Sequence, residues 1–418
     1  MKTSTSAATV ARIPAGATVV VAPACGTPTS LLATLADEAG PRGVTLLAGL
    51  LLDPEVLLPA LDRGALRLRT WHPTAALAHQ LDQGTAEYIP LRASAVPSQL
   101  RAWSPDVAMV RVSPPDRHGW CSLGASAGYA RAALATAGTR IAEIDPAVPH
   151  TFGDTPVHLS CFDAVTESTT PMPVHPPARQ TEVTRAIAGH VLELLPSKPT
   201  LQLGIGTVPE ALLGALADAE LGGLRFVGMG SDGMADLFER GLLDLDLGRA
   251  GPAISTPDIL GTRRVMDFAD GNPAVGVFES ATAHTPALLA HHDRLVSVNS
   301  AIEVDVSGQV NAELVRGRRI SGVGGSIDFV EAATHSPGGL RIIALPSTTP
   351  DGTTSRIVAR LAESTPTSLP KAMVDVVVTE HGVARLAGLS MRERAESLAN
   401  IAAPQHRETI AAGKADLR

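Results

Sequence analysis

Short aliphatic runs alternate along the chain with longer stretches of helical periodicity. The runs Thr18–Val21, Val44–Leu47 and Val107–Val110 are continuously apolar or β-branched, and turn-forming residues follow the third of them. Continuous runs of this kind are typical of parallel strands covered on both faces, and strand–helix alternation is typical of doubly wound sheets. The pattern therefore predicts an α/β fold.

A proline-rich stretch, residues 170–177, divides the pattern into two parts. Behind it a helix is predicted from apolar positions at helical spacing, followed by strands at Thr200–Leu203 and Val374–Val378 and a polar, helical tail. The spaced positions are Val183, Ala186, Ile187, His190, Val191 and Leu194. We therefore expect two doubly wound domains, residues 1–178 and 179–418.

Composition narrows the classes of function. The 418 residues are 44% apolar and 18% charged, as in globular proteins, and the few aromatics (3%) leave an aliphatic core. A net charge of −8 without a basic run argues against a nucleic-acid partner, and the short, broken apolar stretches argue against a membrane span or a signal peptide. Three scattered cysteines fit a reducing cytoplasm, and no metal-ligand spacing is present.

The first candidate binding loop is glycine-rich and joins a strand to a helix. It contains Gly204, Ile205, Gly206, Thr207 and Val208. Glycine lets a ligand approach the backbone, and the free N–H groups of a helix N-terminus attract an anionic or carbonyl group. The same residues would also suit a tight strand–helix turn, so ligand binding and a purely structural role both remain open.

The second candidate loop is Ser321-Gly322-Val323-Gly324-Gly325. Three glycines in four residues indicate a nest of N–H groups or unusual backbone angles, which favours a binding function over a simple turn. We expect the active site between the two glycine loops. A third, polar loop at residues 347–356 ends in Arg356 and would suit either a phosphate or solvent.

Several segments occur in a recognisable order along nearly the whole chain. They are Val112–Gly124, Leu201–Gly206, Ser231–Gly233, Asn299–Asp305, Ser321–Phe329 and Val378–Ala384. In this order they resemble the acetyl-CoA hydrolase/transferase family, which includes the 4-hydroxybutyrate and acetate CoA-transferases.

The resemblance implies two α/β lobes with the active site between them, and a homodimer or larger homo-oligomer. It also implies coenzyme A or acyl-CoA as substrate and an acyl acceptor as second substrate. In this family a glutamate attacks the thioester, and the reaction passes through acyl-anhydride and glutamyl-CoA intermediates. By resemblance, the two glycine loops bind CoA and form the oxyanion hole with backbone N–H groups.

The sequence departs from the family pattern at the glutamate. This residue stands three positions before the serine of the Ser-Asp-Gly motif, where the chain has Gly228, and no acidic residue lies between Phe226 and Ser231. Pro350 occupies the place of a lysine that many members carry in the polar loop. Proline supplies neither charge nor an N–H donor, so we expect weakened CoA affinity.

Three functional interpretations follow from this departure. The first is acyl transfer or thioester cleavage without a glutamyl-CoA intermediate, in which an acceptor attacks a CoA or carrier-protein thioester directly. The second is conventional CoA transfer through a relocated carboxylate, Glu279 or Glu303. The third is a non-catalytic protein that binds acyl thioesters.

Other polar side chains near the Gly228 motif or the glycine loops are candidates for supporting roles. Ser231 and Asp232 follow the Gly228 position and would either orient a water or an acceptor or cap the next helix, and helix capping is favoured by their residue types. His284 is a candidate general base that the sequence does not place in space.

Overall fold

The computed structural model of the protein describes residues 3–37, 40, 43–246 and 251–412. The strands before the proline-rich stretch are β1 (Thr18–Val21), β2 (Val44–Ala48), β3 (Leu66–Thr70), β4 (Ala86–Tyr88), β5 (Val107–Val112), β6 (Trp120–Ser122), β7 (Thr139–Ile144), β8 (Phe152–Gly153), β9 (Pro156–His158) and β10 (Ala164–Glu167). The helices are α1 (Ser6–Val10), α2 (Thr29–Ala36), α3 (Leu58–Asp62), α4 (Ala78–Gln83), α5 (Val96–Trp103) and α6 (Ala130–Thr136).

The first sheet is parallel throughout and has the strand order β10-β7-β5-β1-β2-β3-β4. Its central strands β1 and β5 are the continuous aliphatic runs of the sequence, and nearly all of their residues are buried. The parallel strands expected from those runs are thus confirmed. The order reverses between β1 and β5, and the carboxyl ends of strands at such a switch point form a crevice.

The second half continues with strands β11 (Thr200–Leu203), β12 (Arg225–Gly228), β13 (Ile254–Thr256), β14 (Val275–Val277), β15 (Leu295–Asn299), β16 (Glu303–Asp305), β17 (Val310–Asn311), β18 (Leu314–Val315), β19 (Arg318–Arg319), β20 (Leu340–Ala344), β21 (Ile357–Val358), β22 (Val376–Thr379) and β23 (Gly382–Arg385). Its helices are α7 (Glu182–Leu192), α8 (Thr207–Asp218), α9 (Asp232–Glu239), α10 (Arg263–Ala269), α11 (Ser280–Ala283), α12 (Pro286–Leu289), α13 (Ser326–His335), α14 (Met391–Ile401) and α15 (Arg407–Ala412).

The second sheet has the order β23-β22-β20-β15-β11-β12-β13-β14-β8, parallel except for the edge strand β23. Its switch point lies between β11 and β15, the strands that precede Gly204 and Ser300. The short edge strand β8 comes from the first half of the sequence and pairs with β14. The mixed α/β, doubly wound fold predicted from the sequence is therefore observed.

Small pairings and single turns complete the architecture. β16, β17 and β21 form a small three-stranded sheet, and β18–β19 and β6–β9 form antiparallel ribbons. Single 3₁₀ turns occur at Ala24–Gly26, Pro54–Val56, Ala75–Leu77, Ala93–Ala95, Leu159–Cys161, Lys371–Met373 and Pro404–His406. Within the described ranges, no helix has the length and apolar character needed to cross a membrane.

The helix predicted after the proline-rich stretch is present as α7, and its N-terminus is held by a capping box between Thr181 and Thr184. Its buried face differs from the predicted stripe by one position. Thr184, Ile187, Ala188 and Val191 are buried, whereas Val183 is 37% exposed. The packing of α7 against α8 selects this face, and the capping box turns Thr184 inward.

The hydrophobic core of the second sheet extends into the first half of the chain. Ala24, Cys25, Ala125 and Ala127 pack in the same buried cluster as Leu201 and the other residues of the second half. The carboxyl ends of both sheets are thereby brought to one junction, where the glycine loops lie.

Candidate functional site

A cavity of about 470 Å³ lies at the junction of the two halves. The first half contributes residues that follow β1, β2 and β3, among them Ala24, Leu50 and Trp71, and the second half contributes both glycine loops. Pockets of this size and of largely apolar lining suit small organic ligands. The cavity lies between the two switch points, which is where ligands bind in open α/β sheets.

The first glycine loop forms one wall of the cavity through Gly204 and Ile205. Gly206 has φ +123° and is the N-cap of α8, so the turn needs a residue without Cβ at this position. Thr207 begins the helix and Val208 packs into the core, and neither they nor Gly206 contribute to the described lining. No side chain caps α8, which leaves backbone N–H groups at its N-terminus available.

The second glycine loop forms the opposite wall, and all five of its predicted residues, Ser321, Gly322, Val323, Gly324 and Gly325, line the cavity. A Cβ on Gly322 would lie 2.4 Å from the Trp71 carbonyl oxygen, and a Cβ on Gly325 would lie 2.6 Å from Cδ2 of His284. Gly324 has φ +57° and its carbonyl accepts a hydrogen bond from Ala93 N–H at 3.0 Å. Close packing therefore explains Gly322 and Gly325, and the positive φ explains Gly324, whether or not a ligand binds to the loop.

The loop leads into α13, whose N-terminus also lacks a side-chain cap. A carboxylate in its first turn, Asp328, is instead held by the first half of the chain. Arg92 Nε donates to Asp328 Oδ1 at 2.8 Å, and Ser94 donates to the same carboxylate through its N–H and its hydroxyl. These bonds fix the second glycine loop against the first half.

Gly228 is the last residue of β12 and pairs in register with Leu203. Its φ is +95°, a backbone conformation that residues with a side chain rarely adopt. A Cβ here would lie 3.2 Å from Gln202 Cγ and 3.5 Å from Phe329 Cζ, and both of these residues line the cavity. The position is therefore adjacent to two residues of the cavity lining.

The polar groups nearest to Gly228 form a buried network that the sequence did not suggest. Ser297 Oγ donates to Gln202 Oε1 at 2.7 Å, and Asn299 Nδ2 lies 2.9 Å from Ser297 Oγ. Gln202 and Asn299 face the cavity at the ends of β11 and β15. The sequence did contain a signal for this network. Gln202, Ser297 and Asn299 are polar residues in the otherwise apolar strands β11 and β15, and buried polar residues require hydrogen-bond partners.

Asp258 is the carboxylate among the described residues that line the cavity. It follows β13, and its Oδ1 is buried without a hydrogen-bond partner in the described part of the chain. Burial raises the pKa of the Asp258 carboxyl to about 7, and the hydroxyl of Ser126 opposes part of this rise. Asp258 was not among the site residues predicted from the sequence, because an acidic residue after a strand carries no motif.

His284 lies in the cavity wall beside Gly325 and packs its ring against Phe329, with centroids 5.1 Å apart. Its Nδ1 is buried without a hydrogen-bond partner among the described residues. Burial lowers the pKa of His284 to about 4, so the imidazole is neutral at neutral pH. The structure thus places this residue near the second glycine loop.

Ser231 and Asp232 begin α9 beyond the cavity lining. Ser231 is the N-cap residue, but its side chain makes no capping hydrogen bond and its Oγ is buried without a described partner. Asp232 accepts hydrogen bonds from Thr262 N–H, from the Thr262 hydroxyl and from Val265 N–H. Its carboxylate thereby holds the start of α10 instead of the helix on which it lies.

The two glutamates proposed as relocated nucleophiles are not themselves among the described lining residues, although their chain neighbours Ser280 and Ile302 are. Glu279 is the N-cap residue of α11, and its carboxylate lies 3.4 Å from Arg101 Nη2. Glu303 in β16 accepts a hydrogen bond from Asn311 Nδ2 at 3.3 Å, and it borders a second, separate pocket with Arg316 and Arg360.

The polar loop that contains Pro350 is an exposed turn closed by the bridge Thr348–Ser355. Arg356 is half-buried behind it, where burial lowers the pKa of its guanidinium. Within the described ranges, no group of three or more histidine, cysteine, aspartate or glutamate side chains has a metal-binding arrangement.

The fold and the cavity define an α/β protein with a cavity between two glycine loops, and comparisons with known proteins specify the family. The family models "Acetyl-CoA hydrolase/transferase N-terminal domain" and "Acetyl-CoA hydrolase/transferase C-terminal domain" match residues 2–176 and 261–413. The chain belongs to the acetyl-CoA hydrolase/transferase family, whose members are CoA-transferases and acetyl-CoA hydrolases.

Individual relatives and solved structures agree with this assignment. The 4-hydroxybutyrate coenzyme A transferase of Clostridium kluyveri is 37% identical over 333 residues, which cover 79% of this chain and 77% of that protein. A succinyl-CoA:acetate/propanoyl-CoA:succinate CoA transferase of Fasciola hepatica is 35% identical, with coverages of 79% and 70%. RipA from Yersinia pestis superposes with a TM-score of 0.91 at 28% identity, covering 100% of this chain and 98% of RipA.

Proposed function

We propose that the protein transfers or hydrolytically cleaves the acyl group of an acyl-CoA thioester without forming a glutamyl-CoA intermediate. The observation that carries this proposal is Gly228, which is adjacent to two residues of the cavity lining and stands where the family pattern places the nucleophilic glutamate. Glycine offers no side chain for covalent catalysis, so the acceptor attacks the thioester carbonyl directly.

The cavity is suited to hold such a thioester. Its walls are the two glycine loops, each of which leads into a helix N-terminus without a side-chain cap. Backbone N–H groups of the loop residues that line the cavity stabilise the negative charge that develops on the carbonyl oxygen, an effect that contributes about 3–4 kcal/mol per donor in known oxyanion holes. The apolar side chains of Leu50, Leu91 and Trp71 provide a surface for the acyl chain or the pantetheine arm.

The positions of the other acidic candidates also support direct attack. Glu279 is paired with Arg101, and Glu303 borders a different pocket, so neither side chain is among those that line the cavity. A non-catalytic thioester-binding role would leave the polar groups of the cavity without a chemical task.

We assign the thioester donor and the acyl acceptor only to chemical classes. The donor is the thioester of CoA or of a carrier protein, because both present the same pantetheine thioester to the cavity. The exposed loop around Pro350 lacks a cation at its tip, which supports weak binding of the CoA phosphates.

The experiment is thiol release from a panel of acyl-CoA thioesters of increasing chain length, combined with intact-mass and peptide analysis of the untreated protein, in which a CoA adduct persists. A second sample is treated with borohydride or hydroxylamine, which would convert a glutamyl-CoA thioester to an alcohol or a hydroxamate at the same residue. We expect thiol release and no CoA adduct on the protein. A matched reaction with free CoA controls for non-covalent carry-over. A CoA adduct mapped to Glu279 or Glu303 would establish conventional transfer, and binding of thioesters without any turnover would establish a binding protein.

A further inference from the structure

Asp258 lies one strand away from Gly228, the position at which the family pattern has a glutamate. Asp258 follows β13, the strand next to β12, and Gly228 ends β12. The backbones are joined directly, because Gly230 N–H donates to the Asp258 carbonyl at 3.1 Å and Leu260 N–H donates to the Gly230 carbonyl at 2.8 Å. The Asp258 carboxylate therefore lies after β13, next to the end of β12, where the family pattern places its glutamate.

The first half of the chain encloses Asp258 from the other side. Ser126 and Asp258 form an antiparallel bridge, and Ile259 N–H donates to the Ala125 carbonyl at 2.7 Å. A Cβ on Gly128 would lie 2.8 Å from Asp258 Oδ2, so this carboxylate fits only because residue 128 is glycine. The side chain still borders the cavity, while its Oδ1 has no described hydrogen-bond partner.

No cation among the described neighbours neutralises this carboxylate. The titratable and charged side chains around this wall are Cys25, His72, Arg111, Tyr129, Asp232 and His284. Arg111 is paired with Glu143 at 2.8 Å, and Asp232 is satisfied by the start of α10. Burial raises the pKa of Cys25 to about 12 and also raises the pKa of Tyr129, while it lowers the pKa of His72 and of His284. Asp258 is the carboxyl group of this wall whose pKa burial raises to about 7.

From this geometry we infer that Asp258 is the general base of the reaction and that the acceptor is a neutral hydroxyl nucleophile, water or an alcohol. The inference rests on the proposed function, since it assumes a thioester in the cavity. It specifies the acceptor class, which differs from the carboxylate acceptors named for several relatives.

In the proposed step, the Asp258 carboxylate removes the proton of the hydroxyl group, directly or through one bridging water, while the hydroxyl oxygen forms a bond to the thioester carbonyl carbon. The resulting oxyanion is held by N–H groups of the glycine loops. The C–S bond then breaks, the carbonyl re-forms, and the departing thiolate takes the proton from Asp258. The products are the acid or ester and the free thiol, and the carboxylate is regenerated.

Two features favour a role of Asp258 as a general base over a role as a nucleophile. One oxygen of Asp258 is inaccessible and the other lies against Gly128, which leaves little room for an acyl carbon to bond to the carboxylate. A base can act through an intervening water and needs no such contact. A carboxylate acceptor, by contrast, has no proton to give and would face the charge of Asp258 in an enclosed site.

The experiment compares wild type with Asp258→Asn, which keeps the shape of the side chain but removes its basicity. We expect kcat/KM for thioester hydrolysis or alcoholysis to fall by about 10²–10⁴-fold. We expect thiol exchange with an added thiolate, which needs no base, to change by less than about tenfold. The exposed Asp53→Asn is the matched control, and we expect it to behave as wild type.

Measurements on the wild-type protein keep the inference testable if the variant does not fold. The pH profile of kcat/KM should rise through an apparent pKa near 7 and then level off. Turnover in H₂¹⁸O should label the released acid and leave the Asp258 peptide unlabelled.

Two sets of results separate the possible failures. Asp258→Asn with wild-type kcat/KM, a profile that is flat through pH 7, or ¹⁸O or a hydroxamate at Asp258 would overturn the assignment of the base and leave the proposed function intact. A wild-type protein that cleaves no thioester in the panel would overturn both.

Discussion

His284 and Gly325 are in contact at the cavity wall. The contact depends on the absence of a side chain on the glycine, because a Cβ on residue 325 would lie 2.6 Å from Cδ2 and 2.7 Å from Nε2 of the ring. The ring is confined on its other side by Phe329. The second glycine loop and the imidazole are therefore positioned by each other.

Gly325→Ala should displace His284 or the loop. We expect a loss of about 1–3 kcal/mol in the free energy of unfolding, as in other overpacked sites, together with a clear fall in kcat/KM. Denaturant unfolding and thioester kinetics would measure the two effects. Gly222→Ala is the matched control, because its added Cβ meets no atom within 4 Å. Equal effects of the two substitutions would contradict the proposed contact.

Arg92→Ala should weaken the attachment of the second glycine loop to the first half of the chain. The substitution leaves the fully buried carboxylate of Asp328 with Ser94 alone, which we expect to cost about 1–3 kcal/mol of stability. Arg263→Ala removes an exposed ion pair to Asp267 and should cost less than about 0.5 kcal/mol. Chemical denaturation of both variants provides the comparison, and a smaller effect at Arg92 would argue against its role.

Gly228→Glu should not restore a glutamyl-CoA intermediate. The φ of +95° disfavours any side chain by about 1–2 kcal/mol, and the Cβ would lie 3.2 Å from Gln202 Cγ. We expect a less stable protein without a trapped adduct, as measured by thermal unfolding and by intact mass after incubation with acyl-CoA. Gly228→Ala separates the backbone effect from that of the carboxylate. A CoA adduct on the introduced glutamate would show that the backbone there readily accommodates a nucleophile.

Asp258→Asn should make protein stability less dependent on pH. The folded-state pKa of Asp258, about 7, lies above the value of about 3.9 in unfolded chains. The folded state therefore binds more protons in this window, and its stability falls as the pH rises from about 4 through 7. The penalty reaches at most about 4 kcal/mol above pH 8 and is absent in the variant.

We accordingly expect Asp258→Asn to gain thermal stability relative to wild type at pH 8 and to lose that gain at pH 4.5. Thermal unfolding at both pH values measures the difference, with the solvent-exposed Asp53→Asn as the reference. An unchanged difference between the two pH values would show that Asp258 is not held in a desolvated environment.

Much of the fold could be predicted because parallel strands and their helices leave periodic signals. The continuous runs at residues 18–21, 44–47 and 107–110 coincide with strands, and the helix after the proline-rich stretch is present. The prediction was wrong about which face of that helix is buried, because Thr184 is buried and Val183 is exposed. Apolar spacing identifies a helix but does not fix which side meets its neighbour.

The candidate site was predicted in part. The two glycine loops line one cavity, although Gly206, Thr207 and Val208 serve the turn and the core and do not belong to the described lining. Asp258 and the Gln202–Ser297–Asn299 network were missed, because single polar residues near strand ends have no spacing by which to recognise them.

The sequence by itself determined the two doubly wound halves, the glycine loops after a strand and before a helix, and the absence of a glutamate at position 228, since each is a local property of the chain. Only the tertiary structure decided which polar groups share the cavity. Asp258, His284 and Gln202 meet there because strand ends of two sheets converge at one junction, and contacts between such distant segments arise from packing that no local pattern encodes.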